Sequence, residues 1–277
     1  MYLRLVVRLM KPFDIGVINA KGRGKDNNED YHLVTSKNLL NNSTAYLFAV
    51  ADGMGGYENA EIASHRVIGE LEQLWHSYTV EAPTRERLIE KFNNDFNTEL
   101  ESWNQIFIDD GEKEHTKHGT TLSVIFIVDK FYMIYHIGDG RIYKFVSEDT
   151  NSEATIDLTM TKGLHQLTKD HSWVQEKIDA DEITEEEAQN HKHANIVTQC
   201  IGVSGEIDPF KVHGTLHESD LFLLTTDGIF KTLNNHSLEM LIKNNKEKSS
   251  QQICEIIFEE VKNGKFSDDV CIIIFKL

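Results

Sequence analysis

The chain has 277 residues, 40% of them hydrophobic and 26% charged, with 45 acidic against 28 basic side chains and a net charge of −17. That surplus of acid repels nucleic-acid phosphates and anionic headgroups, which excludes nucleic acid and membrane as primary partners. No apolar run approaches the roughly 20 residues that span a bilayer. Three scattered cysteines (Cys200, Cys254, Cys271) make neither a disulfide scaffold nor a zinc ribbon and suit a reducing cytoplasm.

In chain order, residues 1–12 are apolar but broken by Arg4 and Arg8, and read as a short leader strand. Phe13–Ala20 and Ala45–Ala51 have strand length and strand composition. Two helical stripes follow, one through Ile62, Val67, Ile68, Leu71, Leu74, Trp75 and Tyr78, the other through Leu88, Phe92, Phe96, Leu100, Trp103 and Phe107, the second stepping by three or four. Asp110-Gly111 then reads as a loop. Strands are expected at Thr121–Val128, Phe131–Ile137 and Arg141–Val146, with Asp129-Lys130 as a hairpin link. The polar, acidic stretch 147–162 reads as an insertion. Thr184 and Glu187 have capping-box spacing and open a short helix. Strands return at Phe210–Leu216 and Leu221–Thr225, helices near Ser237–Asn245 and Ser250–Lys262, and a last strand at Val270–Phe275. Blocks of strands alternating with helix pairs predict an α+β domain with antiparallel sheets over 13–277, not a βαβ winding.

Three apolar strands end alike, at Asp52-Gly53, Asp139-Gly140 and Asp227-Gly228, and a fourth begins after Asp268-Asp269. A single Asp-Gly pair is an ordinary turn signal. Four acids on strand ends are more than that, because gathered on one sheet edge they repel by about 4 kcal/mol per pair at 4 Å and an effective dielectric of 20. Cations relieve such crowding, and hard oxygen ligands select Mg²⁺, Mn²⁺ or Ca²⁺ over zinc. Upstream, Lys25 lies where it can hold a substrate oxyanion beside Asn28-Glu29-Asp30.

Lys25-x-x-Asn28-Glu29-Asp30, Ala51-Asp-Gly-Met-Gly-Gly56, Gly119-Thr-Thr121, Gly138-Asp-Gly-Arg141, Leu167-Thr-x-Asp-His-Ser172, Thr226-Asp-Gly228 and Ser267-Asp-Asp269 stand in a telling order. In order and spacing the set resembles the metal-dependent serine/threonine protein phosphatases of type 2C, with Met54 as in the bacterial branch. The resemblance implies a four-layer αββα sandwich, two antiparallel sheets flanked by pairs of helices, with a metal cleft at one end. It implies two Mn²⁺ or Mg²⁺ ions held by Asp52, the Gly53 carbonyl, Asp227 and Asp268, and a weaker third held by Asp139 with Asp227. Glu29 and Asp30 are implied to act through water, and 178–195 to form a flap beside the cleft. The implied reaction is attack of a metal-activated water on phosphoserine or phosphothreonine in proteins, opposing a serine/threonine kinase, by a cytoplasmic monomer.

Several residues depart from that pattern. Lys25 replaces a phosphate-clamping arginine, and an ammonium cannot make the planar two-bond fork; Arg23, two residues earlier, is a second candidate for the phosphate. Gly140 replaces a serine and Asp269 an asparagine. His136 reads as a hydrogen-bonded core residue, His171 as a brace for its loop, and His191-Lys-His193 as an exposed polar turn. A weakly active or non-catalytic phosphopeptide-binding regulator on the same fold is the main alternative. A nucleotide hydrolase is disfavoured, because Gly53–Gly56 lacks the Lys-Ser/Thr of a P-loop.

Overall fold

The computed structural model describes residues 13–39, 43–54, 60–78, 85–147, 161–189, 191–264 and 266–277. The leader, Gly55-Gly56 and 148–160 of the acidic insertion lie outside these.

Strands are numbered in chain order. One sheet has the order β2 (Asp30–Asn38), β3 (Thr44–Asp52), β4 (Leu122–Val128), β5 (Phe131–Ile137), β8 (Phe210–Thr215); the other has β1 (Asp14–Ala20), β10 (Val270–Lys276), β9 (Leu221–Thr225), β6 (Arg141–Val146), β7 (Gly163–Gln166). All pairings are antiparallel. Helices α1 (Ala60–Ser77) and α2 (Arg85–Glu114) cover the first sheet; α5 (Asn235–Asn245) and α6 (Ser250–Asn263) cover the second. The result is the four-layer sandwich expected from the resemblance.

The near-continuous apolar runs follow from this layering, since successive side chains of a strand face opposite sides. In β3, Leu47, Ala49 and Ala51 meet the helices, whereas Phe48 and Val50 enter the layer between the sheets. In β10, Ile272 and Ile274 face α5 and α6 while Cys271, Ile273 and Phe275 face the opposing sheet. Each fully buried Leu, Ile or Phe contributes about 1.5–3 kcal/mol. Three such layers stabilise the fold enough to tolerate several repelling acids at one end.

Local chemistry sets the element ends. Asn234 and Ser249 cap α5 and α6, the latter as a capping box with Gln252. Thr184 and Glu187 bond reciprocally at the start of α4 (Glu185–Gln189), as their spacing predicts. Asp129, at φ 52°, makes the tight β4–β5 turn.

Asp110-Gly111 is not a loop. Both residues lie in the last turns of α2, where Arg66 and Lys113 pair with Asp110. A side chain at Gly111 would meet the Thr116 carbonyl at 2.7 Å, so glycine lets the departing chain fold back over the helix. Strands β2 and β7 and the short helix α3 (Trp173–Asp179) are further elements that the sequence pattern did not announce.

Candidate active site

The acids converge from two sheets, not along one sheet edge. Asp52 ends β3 of one sheet, and Asp139 follows β5 of the same sheet. Asp227 follows β9 and Asp268 precedes β10, both of the other. All four meet at one end of the sandwich, around a cleft of about 490 Å³ lined also by Lys25, Glu29, Gly53, Met54, Asn195, Val197 and Lys231.

Asp52 is fixed through its backbone by the Gly119-Thr-Thr121 segment. Thr120 Oγ1 and the Thr121 amide donate to its carbonyl at 3.0 and 2.8 Å, and its own amide donates to Thr121 Oγ1 at 3.0 Å. Gly53 continues the bridge, donating its amide to the Glu29 carbonyl at 2.9 Å. A Cβ at position 53 would stand 2.1 Å from the Ala60 carbonyl, so only glycine lets α1 begin this close to the strand end.

Asp139 is held from behind. The amide and carbonyl of Gly138 are gripped by two stacked imidazoles: Gly138 N–H donates to His171 Nδ1 at 3.2 Å, and His136 Nε2 donates to the Gly138 carbonyl at 2.8 Å. Ser123 Oγ lies 2.8 Å from His136 Nδ1 and completes the ring's partners. Burial pushes His136 down to about 3, which keeps that ring neutral, and burial also lowers His171, whose Nδ1 accepts the Gly138 amide. The Leu167–Ser172 segment braces the same corner. Asp170 clasps Arg141 with bonds of 2.7–3.1 Å, Thr168 Oγ1 takes the Ile142 amide, and Ser172 caps α3. His136 and His171 thus have the roles read from the sequence. His191 and His193 differ: they pack on Trp173, with ring centroids 4.7 and 4.8 Å away.

Two acids lie behind the cleft. Asp30, 1% exposed and opposite Asp52 in the β2–β3 register, accepts from Thr226 Oγ1 at 2.6 Å, and Thr226 Oγ1 accepts from the Cys271 amide at 3.0 Å. Asp30 lies one layer behind the cleft lining, beside Asp52, and through Thr226 it also ties the two sheets together. Asp269, 2% exposed, accepts from the amides of Gly22 and Glu29 at 2.7 and 2.8 Å and from Lys25 Nζ at 3.1 Å. It pins the 22–29 loop and does not face the cleft as an added ligand. Arg23 is exposed and outside the cleft lining, so the structure does not bring it to the site.

The electrostatics record the crowding. Burial, then the neighbouring Asp30, Asp227, Asp139 and Asp268, raise Asp52 well above the usual carboxylate range; burial and Asp227 push Asp139 up to about 8. Asp30 and Asp227 are raised mainly by burial. Asp268 alone among the strand-end acids is lowered: burial works against this, but hydrogen bonds from Lys231 and Lys25 outweigh it. Lys25 Nζ stands 2.6 Å from both Asp268 Oδ1 and Glu29 Oε2, and Lys231 bonds Asp268 Oδ2 and lies 4.0 Å from Asp227. Lys231 escaped the sequence reading, although its i+4 spacing from Asp227 was a signal.

Five carboxylates against two ammoniums line the cleft, an oxygen donor set with surplus negative charge that suits hard divalent cations. Among the described residues, no three His, Cys, Asp or Glu side chains form a ready-made metal cage. The donor types and their meeting place fit divalent ions; the present arrangement of Asp268 is set by lysine.

The family model described as protein phosphatase 2C matches residues 21–260. The chain belongs to the protein phosphatase 2C family. It is 30% identical over 229 residues to protein phosphatase PhpP of Streptococcus pneumoniae, covering 83% of this chain and 84% of that protein. In fold it is similar to the serine/threonine phosphatase of S. agalactiae, with a TM-score of 0.79 at 24% identity, covering 96% of this chain and all of the other. It is similar too to the catalytic domain of the phosphatase PstP in complex with two manganese ions, with a TM-score of 0.70 at 23% identity, covering 95% and 97%. The 2C assignment makes this chain a protein phosphatase, a phosphoric monoester hydrolase, and gives the seven motifs one destination: each either supplies a group at the cleft or braces one that does.

Proposed function

We propose that the cleft removes phosphate from phosphoserine and phosphothreonine in proteins, with Mn²⁺ or Mg²⁺ as cofactor, and that 13–277 acts as one catalytic domain. Convergence of Asp52, Asp139, Asp227 and Asp268 from both sheets on one cleft is the observation that carries this reading. Asp52, the Gly53 carbonyl, Asp227 and Asp268 would hold a pair of ions, and Asp139 with Asp227 a weaker third. Bound there, such ions polarise water and offset the charge that develops on phosphoryl oxygens.

The chain's own residues do the rest. Lys25, anchored by Asp269, presents its ammonium at the cleft wall, where a phosphoryl oxygen can compete with Glu29 for it. Glu29 accepts hydrogen bonds from water at the cleft mouth. Thr120 and Thr121 fix Asp52, and the His136–Gly138–His171 clamp fixes Asp139, so neither acid reorganises when substrate enters. No covalent phosphoenzyme is needed, and no cysteine is placed to form one: all three are buried and burial raises their thiols.

The engagement of Asp268 by two lysines favours a second reading, a weak or non-catalytic phosphopeptide binder. Release of phosphate from a phosphothreonine peptide, measured across Mn²⁺ and Mg²⁺ titrations, decides between them. Turnover that EDTA and Asp268→Ala abolish supports the hydrolase; peptide binding without turnover supports the binder.

A further inference from the structure

We infer that Lys231 is a built-in cation occupying the place of a divalent ion at Asp227 and Asp268, so that metal entry requires this ammonium to leave. The inference rests on the metal reading of the cleft proposed above. Asp268 has its oxygens filled from within the chain: Lys25 and the Asp269 amide bond Oδ1, at 2.6 and 3.0 Å, and Lys231 bonds Oδ2. Each Asp268 oxygen thus already carries an ammonium, so a cation approaching this carboxylate competes with the two lysines for it.

The two are held unequally. Lys25 touches three carboxylates, Glu29, Asp268 and the buried Asp269, and its loop is pinned by Asp269. Lys231 has Asp268 alone within contact, with Asp227 at 4.0 Å, and its side chain is 31% exposed. It projects from the short 3-10 helix Asp227–Lys231, one end of which is Asp227 itself. A flexible four-carbon stem at the cleft rim can swing into water without disturbing that helix. Lys231 is therefore the group that yields.

The consequence is a competition. If the lysine-bound form holds about nine-tenths of the metal-free protein, the apparent metal affinity is reduced about tenfold from its intrinsic value. The displaced ammonium stays tethered beside the loaded cleft and adds positive charge where a phosphate dianion approaches.

Calorimetric titration of Mn²⁺ into the wild type, Lys231→Gln and Lys25→Gln tests this. The expected result is about tenfold tighter binding by Lys231→Gln than by wild type, with a smaller gain for Lys25→Gln. Equal or weaker binding by Lys231→Gln overturns the inference while leaving the metal reading intact; no Mn²⁺ binding by either protein overturns both. A second measurement needs no variant: lysine acylation of the wild type by an N-hydroxysuccinimide ester, followed by mass spectrometry. Faster modification of Lys231 with Mn²⁺ present is expected, and an unchanged rate rejects its release.

Discussion

Lysine meets aspartate at both ends of the sandwich, with opposite consequences. Far from the cleft, Lys144 of β6 pairs with Asp220 at 2.8 Å, the two side chains 4% and 3% exposed. Lys144 also donates to the Thr215 carbonyl and lies over the Tyr132 and Phe222 rings, while Asp220 accepts the His217 amide. Charges match one to one there and water is excluded, so the pair belongs to the frame. At the cleft, five carboxylates share two ammoniums and solvent reaches all of them. The same ion pair is a fastening where charge balances and an exchangeable occupant where it does not.

Variants at the two ends can break or sharpen this contrast. The largest effect is expected at the cleft. Asp52→Asn should lower metal-dependent phosphatase activity at least about 10²–10³-fold, yet leave the thermal midpoint of the metal-free protein unchanged or higher, since one repelling charge is gone. A fall in midpoint would show Asp52 to be structural instead.

Next comes the closed pair. Lys144→Met leaves Asp220 buried without its partner and should cost about 3–5 kcal/mol in urea unfolding. Lys231→Gln, at the solvent-reached pair, should cost no more than about 1 kcal/mol. Equal costs would erase the distinction.

The pH dependence follows. Asp139 is raised from 3.8 to about 8 in the folded protein. An acid raised on folding binds more protons in the native than in the unfolded state, so its contribution is present below the unfolded value and is lost as pH rises through the folded one. The metal-free protein should lose thermal stability between about pH 4 and pH 8, and Mn²⁺ should flatten the slope by neutralising the acids. A flat metal-free profile would contradict this crowding.

The smallest effect is expected from Lys25→Arg. A planar fork binds phosphate with two bonds, so the KM for a phosphothreonine peptide should fall a few-fold with little change in kcat. An unchanged or higher KM would mean that residue 25 serves its three carboxylates and not the substrate.

Much of this was legible in the residues because burial on both faces leaves a plain mark. Strands such as β4 and β10 are apolar throughout, and the stripes of α1 and α2 repeat at helical spacing. Edge strand β2 was not legible: Asp30–Asn38 is only partly buried and carries His32, Thr35, Ser36 and Lys37 among its apolar residues. Three of the four strand-end acids stood out through their repeated Asp-Gly context, and Asp268 through its place just before an apolar strand. That they come from two sheets did not, because no local pattern encodes which strands become neighbours. The buried tasks of Asp30 and Asp269 were hidden for a similar reason: their partners Thr226 and Gly22 lie about two hundred residues away or more. Resemblance gave these acids a place in a motif, but only the packing says which way each carboxylate turns.

Because Asp52 belongs to one sheet and Asp227 and Asp268 to the other, the sandwich acts as a caliper whose jaws are the strand ends. Stacked sheets sit about 10 Å apart, a spacing set by the side chains between them. Phe48, Phe222 and Phe275, stacked ring on ring in that layer, are therefore the gauge blocks of the instrument. Trimming one of them, well away from any carboxylate, should narrow the jaws and, on the metal reading proposed above, change which ion suits them.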